Sequence, residues 1–373
     1  MSDRKSDPDV LVDPAQQVTT LTLARAAIGH DNNLNLLRVV AALLVLVSHS
    51  VTVATGDASL EPLRGLLGLS LGDISVDIFF VVSGFLVTGS LTRSNSLTKY
   101  AAARGLRIVP GLWVALLVTV LIVSVSFSAF SPARNLMDLR TWHYLSRNGL
   151  IVTGVDFSLP GAFASNPFPG SVNASLWTLP LEVWMYIILA FEWWVAREVF
   201  ERVETRYLPK LLLVTAAVLV VATLGLVLAG HPSNSLRHAA MFFSAAWMYE
   251  ARERIPLKGV AASLALTAIL CAAIVSHSAF EVAYRLFLPY IVLYMAYVPA
   301  GFIRRYNRVG DFSYGIYIYA FPFQQITAAL VPGIGVFRLF LLASGMTIFA
   351  ALLSWHLVES PALKLRSRIA HRS

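Results

Sequence analysis

Stretches of about twenty consecutive apolar residues recur from residue 34 to residue 358, and few folds are open to a chain built this way. A helix rises about 1.5 Å per residue, so some twenty residues cross a hydrocarbon core of ~30 Å with every backbone group bonded within the segment. Ten windows meet this pattern: 34–54, 68–91, 107–128, 176–196, 210–229, 236–251, 259–276, 285–303, 312–331 and 337–358. They predict an all-α fold, a polytopic transmembrane helical bundle of about ten spans. Charged residues form 13% of the 373, against about 25% in soluble domains, which excludes a soluble globular fold and a disordered chain.

The net charge of +8 would suit a nucleic-acid partner if it formed a patch, so its distribution decides. With the N-terminus inside, 21 of the 29 Lys and Arg residues fall in cytosolic segments, seven fall outside, and Arg38 sits at a boundary. That asymmetry is the positive-inside pattern. It predicts a multi-pass membrane protein with both termini cytoplasmic, and it accounts for the charge without nucleic acid. Residues 1–33 read as a mostly mobile cytosolic tail with no signal peptide, 34–358 as the transmembrane domain and 359–373 as a basic cytosolic tail. The connection 129–175 is long and falls on the outer face, where a lid or substrate-binding loop is expected. No internal repeat is visible, so an inverted-repeat transporter gains no support. Cys271 has no partner for an internal disulfide and reads as a small buried hydrophobe.

Ionisable groups inside spans are costly and point to function. In the first span, RVVAALLVLVSH separates Arg38 from His49 by eleven residues, close to three helical turns, so both share one face about 16 Å apart. His49 is either a hydrogen-bonding strut or a group that moves protons near neutral pH. In the second span, Asp77 must find a partner and an imidazole on a neighbouring helix would suit it; Asp73 is interfacial. Ser83, beside Gly84, either permits close helix packing or touches substrate. Arg104 and Arg107 stand at i, i+3 on the first turns of the third span, a pair suited to phosphate as well as to a cytosolic boundary. In the fourth, SLWTLPLE carries Glu182, with Thr178 one turn before it on the same face. GDFSYGIYIYAFP in the ninth places Tyr314, Tyr317 and Tyr319 in a helix that either packs or lines a cavity.

Taken in order, R-x10-H, DIFFVVSGFL, RGLRIVP, SLWTLPLE, SYGIYIY and WHLVESP resemble acyltransferase family 3, integral membrane O-acyltransferases of the O-antigen, exopolysaccharide and nodulation-factor acetylase type. The resemblance runs from residue 34 to 361. It implies an O-acetyltransferase moving an acetyl (acyl) group from acetyl-CoA, with no metal, to a hydroxyl of an extracytoplasmic or lipid-linked glycan. It further implies catalytic roles for His49, Asp77 and Glu182, and donor binding by Arg38, Arg104 and Arg107. Ser83, Trp177, Thr178 and Tyr317 are the expected substrate-binding residues. Many relatives carry His after the tyrosine-rich run, where this chain has Ala320, so no histidine role passes to the ninth span. His49, oriented by Asp77 or Glu182, then acts as a general base or as a covalent acyl carrier, and sequence leaves both open. The rival reading is a secondary transporter or proton-coupled permease using the same buried groups as an ion path.

Overall fold

The structure, a computed structural model, describes residues 21–200 and 207–370. Its long helices are α1 (Leu34–Thr55), α2 (Leu71–Ser94), α3 (Leu97–Ser126), α4 (Thr178–Val195), α5 (Leu208–Leu228), α6 (Asn234–Glu250), α7 (Gly259–Val275), α8 (His277–Tyr297), α9 (Ser313–Leu330) and α10 (Val336–Ser354). Strand pairing among the described residues is limited to two isolated bridges, Thr22 with Pro256 and Ser128 with Ala162. Every expected span therefore coincides with a helix. By length and composition, α1, α2, α3, α4, α5, α8 and α10 are apolar and long enough to cross a membrane, seven in all. The others fall short for different reasons. α6 and α7 have 17 residues each. α9 is more polar because it is enclosed by protein: Gln324 donates to the Leu46 carbonyl and to Ser50 Oγ, both at 2.7 Å, and most of α9 is buried.

Local chemistry sets where the helices begin. Ser70 and Asp73 form a reciprocal capping box that opens α2, with Ser70 Oγ accepting from the Asp73 N–H and Asp73 accepting from Ser70. Ser96 caps α3 and Ser276 caps α8, and both helices start earlier than hydropathy indicated, α3 by ten residues and α8 by eight. Arg104 and Arg107 accordingly lie well inside α3 rather than on its first turns. In α8 the early start takes Glu281 into the helix, where it forms a buried ion pair with Arg285 one turn on. α2 packs on α6 and on α1, and α9 packs on α1 and α10. The α2–α6 approach requires Gly84, since a Cβ there would lie 2.1 Å from the Phe242 carbonyl oxygen. The close-packing reading of the Ser83-Gly84 pair therefore holds for the glycine.

Two expectations need correction, for the N-terminal tail and for Cys271, and the C-terminal tail gains a structure. Residues 1–20 of the expected mobile tail lie outside the described residues, but 21–27 are docked: the Leu23 N–H donates to the Ile255 carbonyl at 2.8 Å, the Leu257 N–H donates to the Leu21 carbonyl at 2.8 Å, and the Leu23 side chain is buried. At the other end, α10 runs through a π-turn, Trp355–Glu359, into a helix, Ser360–Ala370, which occupies most of the expected tail. Cys271 is exposed, because α7 turns its apolar surface outward, as a helix bordering lipid does.

The long connection is folded. It contains helices Pro132–Met137 and Leu139–Leu150, and its second half is fastened to α9. Asn166 donates to the Gln325 carbonyl at 2.9 Å, Gln325 donates to the carbonyls of Phe168 and Ser171 at 2.8 and 2.7 Å, and Asn173 donates to the Ile318 carbonyl at 2.8 Å.

Candidate active site

Asn35, Arg38, Val45 and His49 fall on one stripe of α1, and Val76, Phe79, Ser83 and Leu86 fall on one stripe of the antiparallel α2. Three cavities follow one another along these stripes. The one at His49, about 220 Å³, is also lined by Glu61, Arg64, Asp73, Trp177, Asn234 and Tyr317. The next, narrower at about 50 Å³, is lined by Arg38, Phe79, Ser83, Thr178, Glu182 and Tyr317 among others, so Val76 and Tyr317 belong to both. The third lies beyond Asn35.

His49 meets the Phe321 ring edge-on at 5.3 Å, and its buried Nδ1 has no hydrogen-bond partner. Glu61, from the loop between α1 and α2, lines the same cavity. Burial raises the Glu61 pKa, but bonds from Thr52 Oγ1 at 2.6 Å and from Arg64 at 2.9 Å outweigh it and hold the carboxyl below its usual range. Glu61 is thus ionised at neutral pH on the wall of the His49 cavity.

The hydrogen bond expected between Asp77 and His49 is not formed. Asp77 is fully buried, and its carboxylate accepts from His238 Nδ1 at 2.7 Å, Tyr284 Oη at 2.7 Å and Arg237 Nε at 3.0 Å. Adjacency of α1 and α2 does not fix which way a side chain turns, and Asp77 faces α6 and α8. A chain of ion pairs nevertheless leads from it to the His49 cavity: Arg237 to Asp73 at 3.4 Å, Asp73 to Arg64 at 3.2 Å, and Arg64 to Glu61. The His238 ring stacks on Phe80 at 4.9 Å and lies 5.4 Å from Trp177, with Nε2 buried and unpartnered.

Glu182 also sits apart from His49, on the Arg38 side. It accepts from Ser83 Oγ at 3.0 Å and, through a short contact, from Tyr186 Oη. Thr178 Oγ1 and Tyr317 Oη are 2.8 Å apart on the same cavity wall. The structure thus brings Arg38, Ser83, Thr178, Glu182 and Tyr317 together, joins Trp177 and His49 to them through the neighbouring cavity, and leaves Asp77 behind the wall.

The three arginines are differently committed. Arg38 and Arg107 converge on Asp311, the former through a short contact and the latter at 2.6 Å; Arg107 also lies 3.6 Å from Glu359. Arg104 packs over the Tyr186 ring at 5.9 Å, and its buried Nε has no partner. Side by side on α3 as expected, the pair therefore offers one open guanidinium rather than two. Because Arg38 at the start of α1, Asp311 ahead of α9 and Glu359 past α10 meet here, those termini lie at one end of the bundle.

Sequence reasoning passed over Asp311, Glu61, Arg64 and His238. Asp311 stood in the quoted GDFSYG run, and an arginine at a membrane boundary implies a carboxylate nearby. Glu61 and Arg64 gave no such signal, since a search confined to spans does not reach a loop. Among the described residues no group of three or more His, Cys, Asp or Glu could hold a metal ion.

The acyltransferase domain model of acyltransferase family 3 matches residues 31–357. An O-acetyl transferase of Shigella phage Sf6 is 29% identical over 86% of this chain and 93% of its own length. Nodulation protein 10 of Rhizobium leguminosarum bv. viciae is 28% identical over 92% of this chain and 96% of its own. No solved structure matches. A family match spanning α1 through α10, on a bundle whose His49 lines an internal cavity, accounts for the ionisable groups that a permease would otherwise explain: the chain belongs to acyltransferase family 3 and is a membrane acyltransferase.

Proposed function

We propose that the protein is an O-acetyltransferase of the bacterial inner membrane, with both termini cytoplasmic, that moves an acetyl group from acetyl-CoA to a hydroxyl of an extracytoplasmic or lipid-linked glycan. The observation that carries this reading is His49, a partly buried imidazole with an unpartnered Nδ1 on the wall of a polar cavity that continues, past Tyr317 and Val76, into the cavity of Arg38 and Glu182. A hydroxyl is far too weak an acid to attack a thioester unaided, so a positioned base is required. His49 takes the hydroxyl proton as the oxygen bonds to the acyl carbon; the carbon–sulfur bond then breaks and the sulfur leaves as thiol with the proton returned by the imidazolium. Ionised Glu61 stabilises that imidazolium through space.

Trp177, on the cavity wall, offers a face for a sugar ring, while Asn234 and Asp73 offer polar groups for its hydroxyls. Tyr317, bonded to Thr178, stands between the two cavities, where acceptor and acyl group would meet, and Ser83 fixes Glu182. On the donor side, the open guanidinium of Arg104 suits a phosphate, and Arg38 and Arg107 hold that end of the bundle together through Asp311. His49→Ala protein that inserts normally should lose transfer by at least about 10²-fold. The measurement is mass spectrometry of surface glycans for acetyl increments in cells carrying either form, and retained acetylation by the variant rejects the assignment.

A further inference from the structure

Beyond Asn35, at the end of the bundle away from His49, lies a chamber of about 820 Å³ between residues 24–35, α2 and the end of α6. Two guanidiniums face it, Arg93 and Arg252, and among the described residues neither lies within salt-bridge distance of a carboxylate, although Glu253 also borders the chamber. Both are held by Tyr249: Arg93 donates to its hydroxyl at 3.3 Å, and Arg252 stacks on its ring at 4.2 Å while donating to its carbonyl at 2.8 Å. Tyr297, Asn35 and Asn307 complete the wall with a further aromatic ring and amide groups.

Resting on the acyl-CoA reading above, the geometry points to this chamber as the docking site for the donor's nucleotide head, an adenosine carrying phosphates. Paired guanidiniums suit phosphate oxygens, and tyrosines with amides suit a flat heterocycle. Size and reach agree. The middle cavity, about 50 Å³, admits a slender chain and no bulky head. Fourteen residues of α1 separate Asn35 from His49, about 21 Å along the helix. An extended pantetheine arm, with two amide units and bonds of about 1.5 Å, spans on the order of 15–20 Å. A head whose phosphates lie level with Asn35 therefore carries the thioester into the middle cavity, up to the Val76 and Tyr317 wall that it shares with the His49 cavity. Arg107, whose charge is taken by Asp311 and Glu359, is not needed for the phosphates.

The test compares acetyl-CoA with acetyl-pantetheine, which keeps the arm and thioester but lacks the nucleotide. In the Arg93→Gln, Arg252→Gln double variant, the ratio of kcat/KM for acetyl-CoA to that for acetyl-pantetheine should fall at least tenfold; an unchanged ratio overturns the docking site. A lipid phosphate held by the same arginines would depress both donors alike and leave the ratio unchanged. Because the ratio is internal to each preparation, a partly misfolded variant still gives it. As a measurement needing no variant, adenosine 3′,5′-bisphosphate should compete with acetyl-CoA in the wild-type protein, and absence of competition overturns the proposal. Wild-type protein that transfers from neither donor overturns the acyl-CoA reading as well, whereas transfer without nucleotide dependence overturns the docking site alone.

Discussion

Asp77 Oδ1 lies 2.7 Å from Nδ1 of His238, and that pairing turns the most deeply buried carboxylate of α2 toward α6 and away from His49. With Tyr284 and Arg237 as its other partners, Asp77 neutralises a guanidinium that has little access to solvent. Asp77→Asn should therefore act first on the fold. Removing one partner of a buried pair destabilises by about 3–5 kcal/mol, and detergent-solubilised variant should melt well below wild type. Unchanged melting with a loss of turnover would instead assign Asp77 a direct part in the chemistry.

Glu61 carries a pH dependence whose sign follows from its depressed pKa. Its contribution to stability is complete above the unfolded carboxyl value of 4.5 and disappears as pH falls through the lower folded value. The melting temperature of wild type should exceed that of Glu61→Gln at pH 7, and the gap should narrow below about pH 4.5. At neutral pH the same variant should transfer acetyl more slowly, because the imidazolium then keeps only Asp73 of the two carboxylates on its cavity wall. Melting curves and initial rates on one preparation test both.

Asp311 joins Arg38 to Arg107, so the three should behave as a unit. Asp311→Asn leaves two mostly buried guanidiniums facing each other and should destabilise strongly. Adding Arg107→Gln should restore part of the loss, with a coupling on the order of 1–3 kcal/mol in a double-mutant cycle. Additive losses would show that the ion pairs are not coupled.

Arg104 and Arg107 should separate in kinetics although they are neighbours on α3. Arg104→Gln is expected to raise KM for acetyl-CoA by roughly ten- to a hundredfold, the worth of one charge-assisted hydrogen bond. Arg107→Gln should chiefly lower the yield of folded protein. Steady-state kinetics normalised to folded enzyme distinguishes the two.

The orientation predicted from Lys and Arg placement can be read by cysteine labelling. Since Cys271 is exposed, the background must be Cys271→Ala. Single cysteines placed in 129–175 should react with an impermeant maleimide in intact cells, and those in 92–96 after permeabilisation alone. The reverse pattern would invert the donor and acceptor sides.

Span positions were legible because hydropathy averages over about twenty residues, and α1 was found to within one residue of its end. The starts of α3 and α8 were not, because Ser96 and Ser276 extend those helices into polar sequence that a hydropathy window discards. Within α1, the shared face of Arg38 and His49 followed from helix geometry alone. Partners across helices did not follow, since the azimuth of a neighbouring helix is set by packing such as that of Gly84 on Phe242. The Asp77–His238 bond and the convergence of Arg38 with Arg107 on Asp311 join groups more than 150 residues apart, and a reading that pairs adjacent spans cannot reach them.

α9 has a consequence for how the protein is made. The side-chain N–H groups of its glutamines donate to α1 and to the long connection that forms a cap ahead of α4, so released alone into lipid it would carry amide donors without partners. During synthesis α9 emerges after both of those elements and before α10, the helix that closes its other side. Its retention in the bilayer thus depends on a receptive surface already assembled by the earlier chain. Lesions in the cap, far from His49, should consequently appear as failed membrane insertion of the last two helices rather than as a slow enzyme.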